Sequence, residues 1–135
     1  MRRGVGFSMT ELLVVIAILG LIAGTVGPRL MQFSVSHKRR LELNRVEDFL
    51  ARAPNIAYVR GSSLQLRGGA GYMELQPDGP RLMLDDGWVI KVEEPVSYGA
   101  NGATSGGLID VVIGTRVFRY RQSSGEGRVS LDEGT

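Results

Sequence analysis

Glu11 raises a chemical question, because this carboxylate lies near the start of a long apolar segment. It is the one ionisable side chain in the 21 residues from Phe7 to Gly27. An apolar helix of about 20 residues spans the hydrocarbon core of a bilayer. A carboxylate in such a segment is costly and usually marks a function or a partner. The alternative is a solvated carboxylate at the membrane surface that has no partner.

Four arginines near the C-terminus form a second candidate group: Arg116, Arg119, Arg121 and Arg128. In "TRVFRYRQ", strand alternation predicts that Phe118 and Tyr120 share one face and that Arg119 and Arg121 share the other. One interpretation is an amphipathic strand with a solvated basic face. The other is a patch that binds the phosphate backbone of DNA. Because the aromatic side chains are expected to point inward, they offer no stacking platform for bases.

No further residue pattern indicates catalysis or a cofactor. The chain has no cysteine, which excludes disulfides and thiolate chemistry, and His37 is its one histidine. The glycine-rich stretches "RGGAGY" and "YGANGATSGG" lack the lysine and the following helix of a phosphate loop. The net charge of +2 includes Arg2 and Arg3, and beyond residue 6 there are fourteen basic and fourteen acidic side chains. The sequence therefore predicts a non-enzymatic protein with no cofactor and no metal site.

The charges around the apolar segment fit three kinds of N-terminal sequence. Arg2 and Arg3 precede the segment and Arg29 follows it, which favours a cytoplasmic N-terminus. A cleaved secretory signal would give a mature chain that starts near residues 24–28. An uncleaved signal anchor is the second kind. Neither of these accounts for Glu11.

The third kind rests on a family resemblance. The stretch "GFSMTELLVVIAILGLIA" resembles the N-terminal signal of type IV pilins and of type II secretion pseudopilins. In that family a prepilin peptidase cuts after a glycine, and the new N-terminal phenylalanine is N-methylated. Gly6, Phe7 and Glu11 occupy the matching positions, and Pro28 falls where many members carry a helix-kinking proline. The resemblance implies that Glu11 faces the N-terminal amine of a neighbouring subunit, since a charge in low dielectric needs a partner.

The elements that position these residues change from helical to extended along the chain. Beyond Pro28, apolar residues recur mostly at three- and four-residue steps, which predicts a buried helical stripe. Its members are Leu30, Phe33, His37, Leu41, Val46, Phe49, Leu50 and Ala53. The sequence thus predicts one helix over residues 7–53 that ends at Pro54. Gly20, Gly24, Gly27 and Pro28 are positions where this helix is expected to bend or melt.

From Ile56 onward the period of the pattern changes to two. Short alternating runs, the first being "IAYVR", are separated by turn signals, which predicts two small antiparallel sheets packed on the helix. Expected core residues are Leu84, Trp88, Ile90, Phe118 and Tyr120. The predicted fold is α+β and pilin-like. Its segments are a leader at 1–6, a transmembrane and assembly helix at 7–28, its amphipathic continuation at 29–54 and a periplasmic β domain at 55–135.

A second resemblance covers the C-terminal part. The stretch "VSYGANGATSGGLIDVVIGTRVFRYRQSSGEGRVSL" is similar to minor pseudopilin H of type II secretion and to its pilus relative, minor pilin T. The resemblance implies a bacterial inner-membrane protein with one membrane span and a periplasmic domain. Its partners would be other pseudopilins, the prepilin peptidase, the inner-membrane assembly platform and membrane lipid. A minor pilin of a type IV pilus, acting in pilus assembly or DNA uptake, is the alternative. A membrane-anchored or secreted enzyme is a further alternative, but no catalytic motif in the sequence supports it.

Overall fold

The computed structural model describes residues 6–132, which form one long helix followed by eight short strands. The helix α1 covers Met9–Arg60. The strands are β1 (Leu64–Gly69), β2 (Tyr72–Gln76), β3 (Arg81–Met83), β4 (Trp88–Val92), β5 (Ser97–Tyr98), β6 (Gly107–Ile113), β7 (Arg116–Gln122) and β8 (Val129–Asp132). Residues 1–5, which belong to the predicted leader, and residues 133–135 lie outside the described part of the chain.

The strands form two antiparallel sheets, as predicted. The first sheet has the order β3-β2-β1-β5 and the second has the order β4-β6-β7-β8. All pairings between the strands are antiparallel. Of the expected core residues, Leu84, Trp88, Ile90 and Tyr120 are buried, and Phe118 is partly buried against the same core. The predicted α+β, pilin-like architecture is confirmed.

The chain divides into two compact units within α1, one ending at Arg40 and the other beginning at Leu41. Only the second unit buries a stripe of the helix. Its buried helical residues are Val46, Leu50, Ala53, Pro54 and Ala57. The predicted stripe is therefore wrong at its N-terminal end, because Leu30, Phe33, His37 and Leu41 are exposed. Helical periodicity reports an amphipathic face but does not say where along the helix a sheet covers it.

The first part of α1 contains a segment long and apolar enough to cross a membrane, by length and composition. None of that segment is buried by the described residues. The helix runs unbroken through Gly20, Gly24, Gly27 and Pro28, the positions where a bend was expected. The long apolar helix fits membrane anchoring.

The predicted end of the helix at Pro54 is wrong, because α1 continues to Arg60 and "IAYVR" is helical. Proline has no backbone N–H, so the carbonyl of Leu50, four residues earlier, lacks its usual helical donor. The side chain of Gln122 replaces that donor, since its Nε2 donates to the Leu50 oxygen at 3.0 Å. Ala57 then continues the buried stripe. Tertiary contacts therefore carry the helix past the proline.

The helix ends instead at Arg60 and is followed by Gly61, which has a left-handed backbone with φ of 66°. The N–H of Gly61 donates to the carbonyl of Tyr58 at 3.1 Å, and the N–H of Ser62 donates to that of Ala57 at 3.4 Å. This pair of bonds is a Schellman motif, which satisfies carbonyls left free at a helix end. Glycine adopts the required conformation at little steric cost.

Gln122 joins the helix to both sheets through a buried hydrogen-bond cluster. Besides Leu50, its Nε2 donates to the carbonyl of Gly127 at 3.1 Å, and its Oε1 accepts from the Tyr98 hydroxyl at 2.6 Å. Burial raises the pKa of Tyr98 above its usual range, so this hydroxyl keeps the proton that it donates. Gly127 has φ of 73°, and a Cβ there would lie 2.8 Å from Cγ of Pro54. The contact between helix and loop therefore requires glycine.

We expect Gln122→Leu to lower the free energy of unfolding by about 2–4 kcal/mol, because buried polar groups lose their partners. The same substitution in a Pro54→Ala background should cost about 1 kcal/mol less, since the introduced alanine supplies a helical N–H to the Leu50 carbonyl. Denaturant unfolding of the full chain in detergent, followed by Trp88 fluorescence, measures both. Strict additivity of the two substitutions would contradict the role assigned to Gln122.

Candidate functional site

The predicted cleavage site lies just before the helix, in backbone that has no regular structure. Gly6 and Phe7 are both exposed, and the Phe7 side chain is 83% exposed. A Cβ placed on Gly6 would meet no atom within 4 Å. The surroundings of Gly6 in the folded chain therefore do not demand glycine. The bond between Gly6 and Phe7 is accessible to a peptidase.

Glu11 forms a capping box with Ser8 at the start of α1. The backbone N–H of Glu11 donates to the Ser8 hydroxyl at 3.2 Å, and the backbone N–H of Ser8 donates to Oε2 of Glu11 at 3.4 Å. The first helical bond follows, from the N–H of Leu12 to the carbonyl of Ser8 at 3.1 Å. Each side chain thus satisfies a backbone donor that the helix leaves free. The carboxylate also lies at the positive end of the helix dipole.

Sequence reasoning missed Ser8, although the signal was present. A serine followed three residues later by a glutamate, just before an apolar run, is the sequence pattern of a capping box. The apolar residues that follow Glu11 indicate a membrane charge more strongly than the Ser8–Glu11 spacing indicates a helix start. In the single chain Glu11 therefore has a local partner. The predicted contact with the amine of a neighbouring subunit stays a prediction.

Pro28 lies in the same helix as Glu11 but far from it. The two are separated by 17 residues of helix, which is roughly 25 Å at the standard rise. Pro28 is exposed, and its missing N–H removes the helical donor to the carbonyl of Gly24. Nearby, the Thr25 hydroxyl donates to the carbonyls of Leu21 and Ile22, at 3.2 and 3.1 Å. The structure does not bring the proline and the carboxylate together into one site.

Two of the four C-terminal arginines form close ion pairs with carboxylates. Arg119 makes two bonds to Asp110 on the neighbouring strand, at 2.7 and 2.8 Å. Arg121 contacts Asp132 on the other side, at 2.9 Å. The strand alternation predicted for β7 is confirmed. Tyr120 lies between the two arginines in the sequence, and its side chain points into the core.

The remaining two arginines lie at the ends of elements. Arg128 is exposed and approaches the exposed carboxylate of Glu126 at 3.8 Å, a contact that contributes little. Arg116 begins β7 and forms no ion pair within residues 6–132. Carboxylates next to Arg119, Arg121 and Arg128 offset much of the positive potential that a DNA backbone would require. The arrangement favours a solvated, charge-balanced strand face.

The pair of Asp110 and Arg119 is the best-defined electrostatic contact of the β domain. Asp110 is 8% exposed, and the two residues lie directly opposite each other in the ladder between β6 and β7. Hydrogen bonds from Arg119, followed by its charge, hold the pKa of Asp110 below its usual value. A two-pronged arginine–carboxylate contact fixes orientation as well as charge. This pair therefore helps to set the register of the strands.

His37 is exposed on the helix. Within residues 6–132 no group of three or more histidine and acidic side chains is placed to hold a metal ion.

We expect Asp110→Asn to destabilise the folded chain by about 1–2 kcal/mol at neutral pH, because the charged hydrogen bonds are lost. The pKa of Asp110 is depressed in the folded state, so its contribution is present above the unfolded value of about 3.9. It disappears as the pH falls through the folded pKa. Denaturant unfolding of both proteins from pH 7 to pH 3 should show the difference shrinking with acid, and a pH-independent difference would contradict this account.

Comparison with known proteins identifies the N-terminal part of the chain. Residues 2–27 match a family model described as the prokaryotic N-terminal methylation motif. The match includes Gly6, Phe7 and Glu11 and stops one residue before Pro28. No curated protein and no solved structure matches the chain. The motif implies processing by a prepilin peptidase and assembly with other pilins, and together with the α+β architecture it supports a type IV pilin-like protein, a class that is structural rather than enzymatic.

Proposed function

We propose that the protein is a minor pseudopilin of the H type in a bacterial type II secretion system. Its leader would be cut between Gly6 and Phe7, and Phe7 would become N-methylated. The apolar helix would hold it in the inner membrane with a cytoplasmic N-terminus and a periplasmic β domain. From there it would join a pseudopilus that helps to drive protein export. The resemblance of the C-terminal strands and glycine turns to minor pseudopilin H supports this choice.

The observation that carries the pilin-like part of the proposal is the arrangement at the start of α1. An exposed glycine–phenylalanine bond lies in irregular backbone, and an acid-capped helix begins two residues later. The helix then presents apolar side chains all around its surface, from Leu12 to Val26. A soluble monomer rarely exposes so large an apolar surface. Lipid covers such a helix before assembly, and neighbouring helices cover it in a filament.

A type IV pilus minor pilin shares all of these N-terminal features. The two machines differ in their partners, so the proteins that copurify with the chain from its own host distinguish them. A role in DNA uptake adds a further requirement, which is free positive charge on the β domain. The pairing of Arg119 with Asp110 and of Arg121 with Asp132 does not favour that role.

We expect the chain isolated from membranes of a host with a prepilin peptidase to begin at N-methylated Phe7. Gly6→Val should abolish this cut, because the peptidase recognises glycine there, as the family resemblance implies. Intact mass and N-terminal sequencing measure both. Since the space around Gly6 is open, the substitution leaves the fold intact, and Trp88 fluorescence provides that control.

A mature chain that starts near residues 24–28, or an uncut chain that begins at Met1, would contradict the proposal. The first result would indicate a secretory signal, and the second would indicate a plain signal anchor. In either case Glu11 would be a capping residue and nothing more.

Two substitutions separate the capping role of Glu11 from its proposed role in assembly. Glu11→Gln removes the charge but keeps the cap, because glutamine also fits the capping box. Ser8→Ala keeps the charge and removes one capping bond, at a cost of about 1 kcal/mol to the helix start. We expect Glu11→Gln to reduce incorporation into filaments severalfold and Ser8→Ala to leave it nearly unchanged. Crosslinking in membranes, with cleavage checked by mass, measures incorporation.

The reverse pattern would assign the phenotype to helix capping. Normal incorporation of both variants would remove Glu11 from the assembly mechanism.

A further inference from the structure

The charges of this chain are distributed unevenly along α1. Between Glu11 and Glu42 there is no acidic residue, and residues 12–41 carry four basic side chains. Residues 42–135 carry ten basic and thirteen acidic side chains. Three of the four basic residues in the first group are consecutive, Lys38, Arg39 and Arg40. None of these three forms an ion pair within the described range 6–132.

Apolar side chains continue past Arg29, so the first charged residue after the apolar segment does not mark the end of the apolar surface. Leu30, Met31, Phe33 and Val35 are all exposed, by 58–74%. The polar residues among them, Gln32, Ser34 and Ser36, are uncharged. Such a mixture suits the headgroup layer, which tolerates apolar and polar groups together. It is poorly suited to open water.

Helix geometry places these residues at defined depths. Counting from the residue after Glu11, Leu12–Met31 is 20 residues, or about 30 Å, which is the thickness of the hydrocarbon core. Residues 32–36 add about 7 Å, which is the depth of one headgroup layer. His37 comes next, and the three consecutive basic residues follow it. Arg29 lies just inside the core edge, from where its long side chain reaches the phosphates.

We propose that Lys38, Arg39 and Arg40 form a basic collar that binds the phosphate groups of anionic phospholipids at the outer surface of the membrane. Bound there, the collar holds residues 32–36 within the headgroup layer before the subunit enters a filament. This inference rests on the membrane anchoring of α1 and does not depend on which machine the subunit serves.

The shape of the collar favours lipid over a neighbouring protein. Successive helical residues are about 100° apart, so three in a row point to different sides of the helix. A neighbouring helix contacts one face and would select residues three or four apart. A membrane surface surrounds the helix and reaches every side. Each basic side chain near an anionic surface contributes attraction that salt weakens.

The experiment uses the full chain in vesicles and exploits its lack of cysteine. Val35→Cys carries an environment-sensitive fluorophore, and headgroup-level spin-labelled lipid quenches it. Vesicles are made of phosphatidylcholine alone or with phosphatidylglycerol as the minority lipid. The collar variant is Lys38→Gln, Arg39→Gln and Arg40→Gln. The matched control, Arg52→Gln, Arg67→Gln and Lys91→Gln, removes the same charge from exposed positions that form no ion pair in residues 6–132.

We expect phosphatidylglycerol to increase the quenching about twofold in the parent chain and in the control, and to have no such effect in the collar variant. The increase should weaken in high salt and should not change when the number of chains per vesicle is reduced. Equal quenching in both lipids, or an unchanged collar variant, would overturn the proposal.

An increase that disappears on dilution would also overturn it, because it would identify the acidic β domain of a second copy as the ligand. Resistance to alkaline extraction confirms insertion, and Trp88 emission confirms folding. If the triple variant does not insert, the single variant Arg40→Gln replaces it. Phosphatidylglycerol should then increase its quenching, but by less than it does in the parent chain.

Discussion

The β domain depends on one hydrogen bond that replaces a missing one. Pro54 deprives the Leu50 carbonyl of its helical donor, and Gln122 supplies a donor from the end of β7. The same glutamine accepts from Tyr98 on the other sheet and donates to the loop that precedes β8. A buried acceptor without a donor costs about 1–3 kcal/mol, so the proline makes the contact between helix and sheet obligatory. The missing donor at Pro54 thus becomes the point where the helix and the two sheets are joined.

The helix α1 has a buried stripe in one part and a fully uncovered apolar surface in another. In the second unit a narrow stripe with members such as Val46, Leu50 and Ala57 is buried against the sheets. In the first unit no side chain of the apolar segment is covered by the described chain. Since hydrogen bonds within the helix already satisfy its backbone, the first unit tolerates lipid or other helices as surroundings. One continuous helix therefore contains a stretch that packs into the folded β domain and an apolar stretch that the described residues do not cover.

The sequence predicted the element types well where one periodicity dominates. The strands "SLQLR", "YMELQ" and "RVFRYR" alternate clearly, and the structure has strands there. The failures came where a tertiary contact overrides a local rule. Proline normally ends a helix, and nothing local to Pro54 shows that Gln122, far along the chain, replaces the lost donor. "IAYVR" alternates like a strand, yet Ala57 also extends the helical spacing of Leu50 and Ala53, and burial decided between the two periods.

The candidate site was predictable in its residues and less so in its geometry. The spacing of Gly6, Phe7 and Glu11 was sufficient to find the matched motif. The same spacing does not define the contacts of the Glu11 carboxylate within one chain, where Ser8 is its partner. For the arginines, alternation gave the correct face of β7. It did not reveal that Asp110 lies opposite Arg119, because pairing register depends on turns and packing between distant strands.

The capping box accounts for a hydrogen-bond acceptor at position 11 but not for a charged one. Capping alone requires an acceptor, and glutamine would provide one without bringing a charge to the membrane. The helix dipole favours the carboxylate by only about 0.3–1 kcal/mol at an exposed site. A carboxylate deeper in a membrane costs several times more than that unless it finds a cation. Deeper in a membrane, glutamate is therefore the better residue only where a positive group approaches, and the amine that the proposed cleavage before Phe7 would release is such a group.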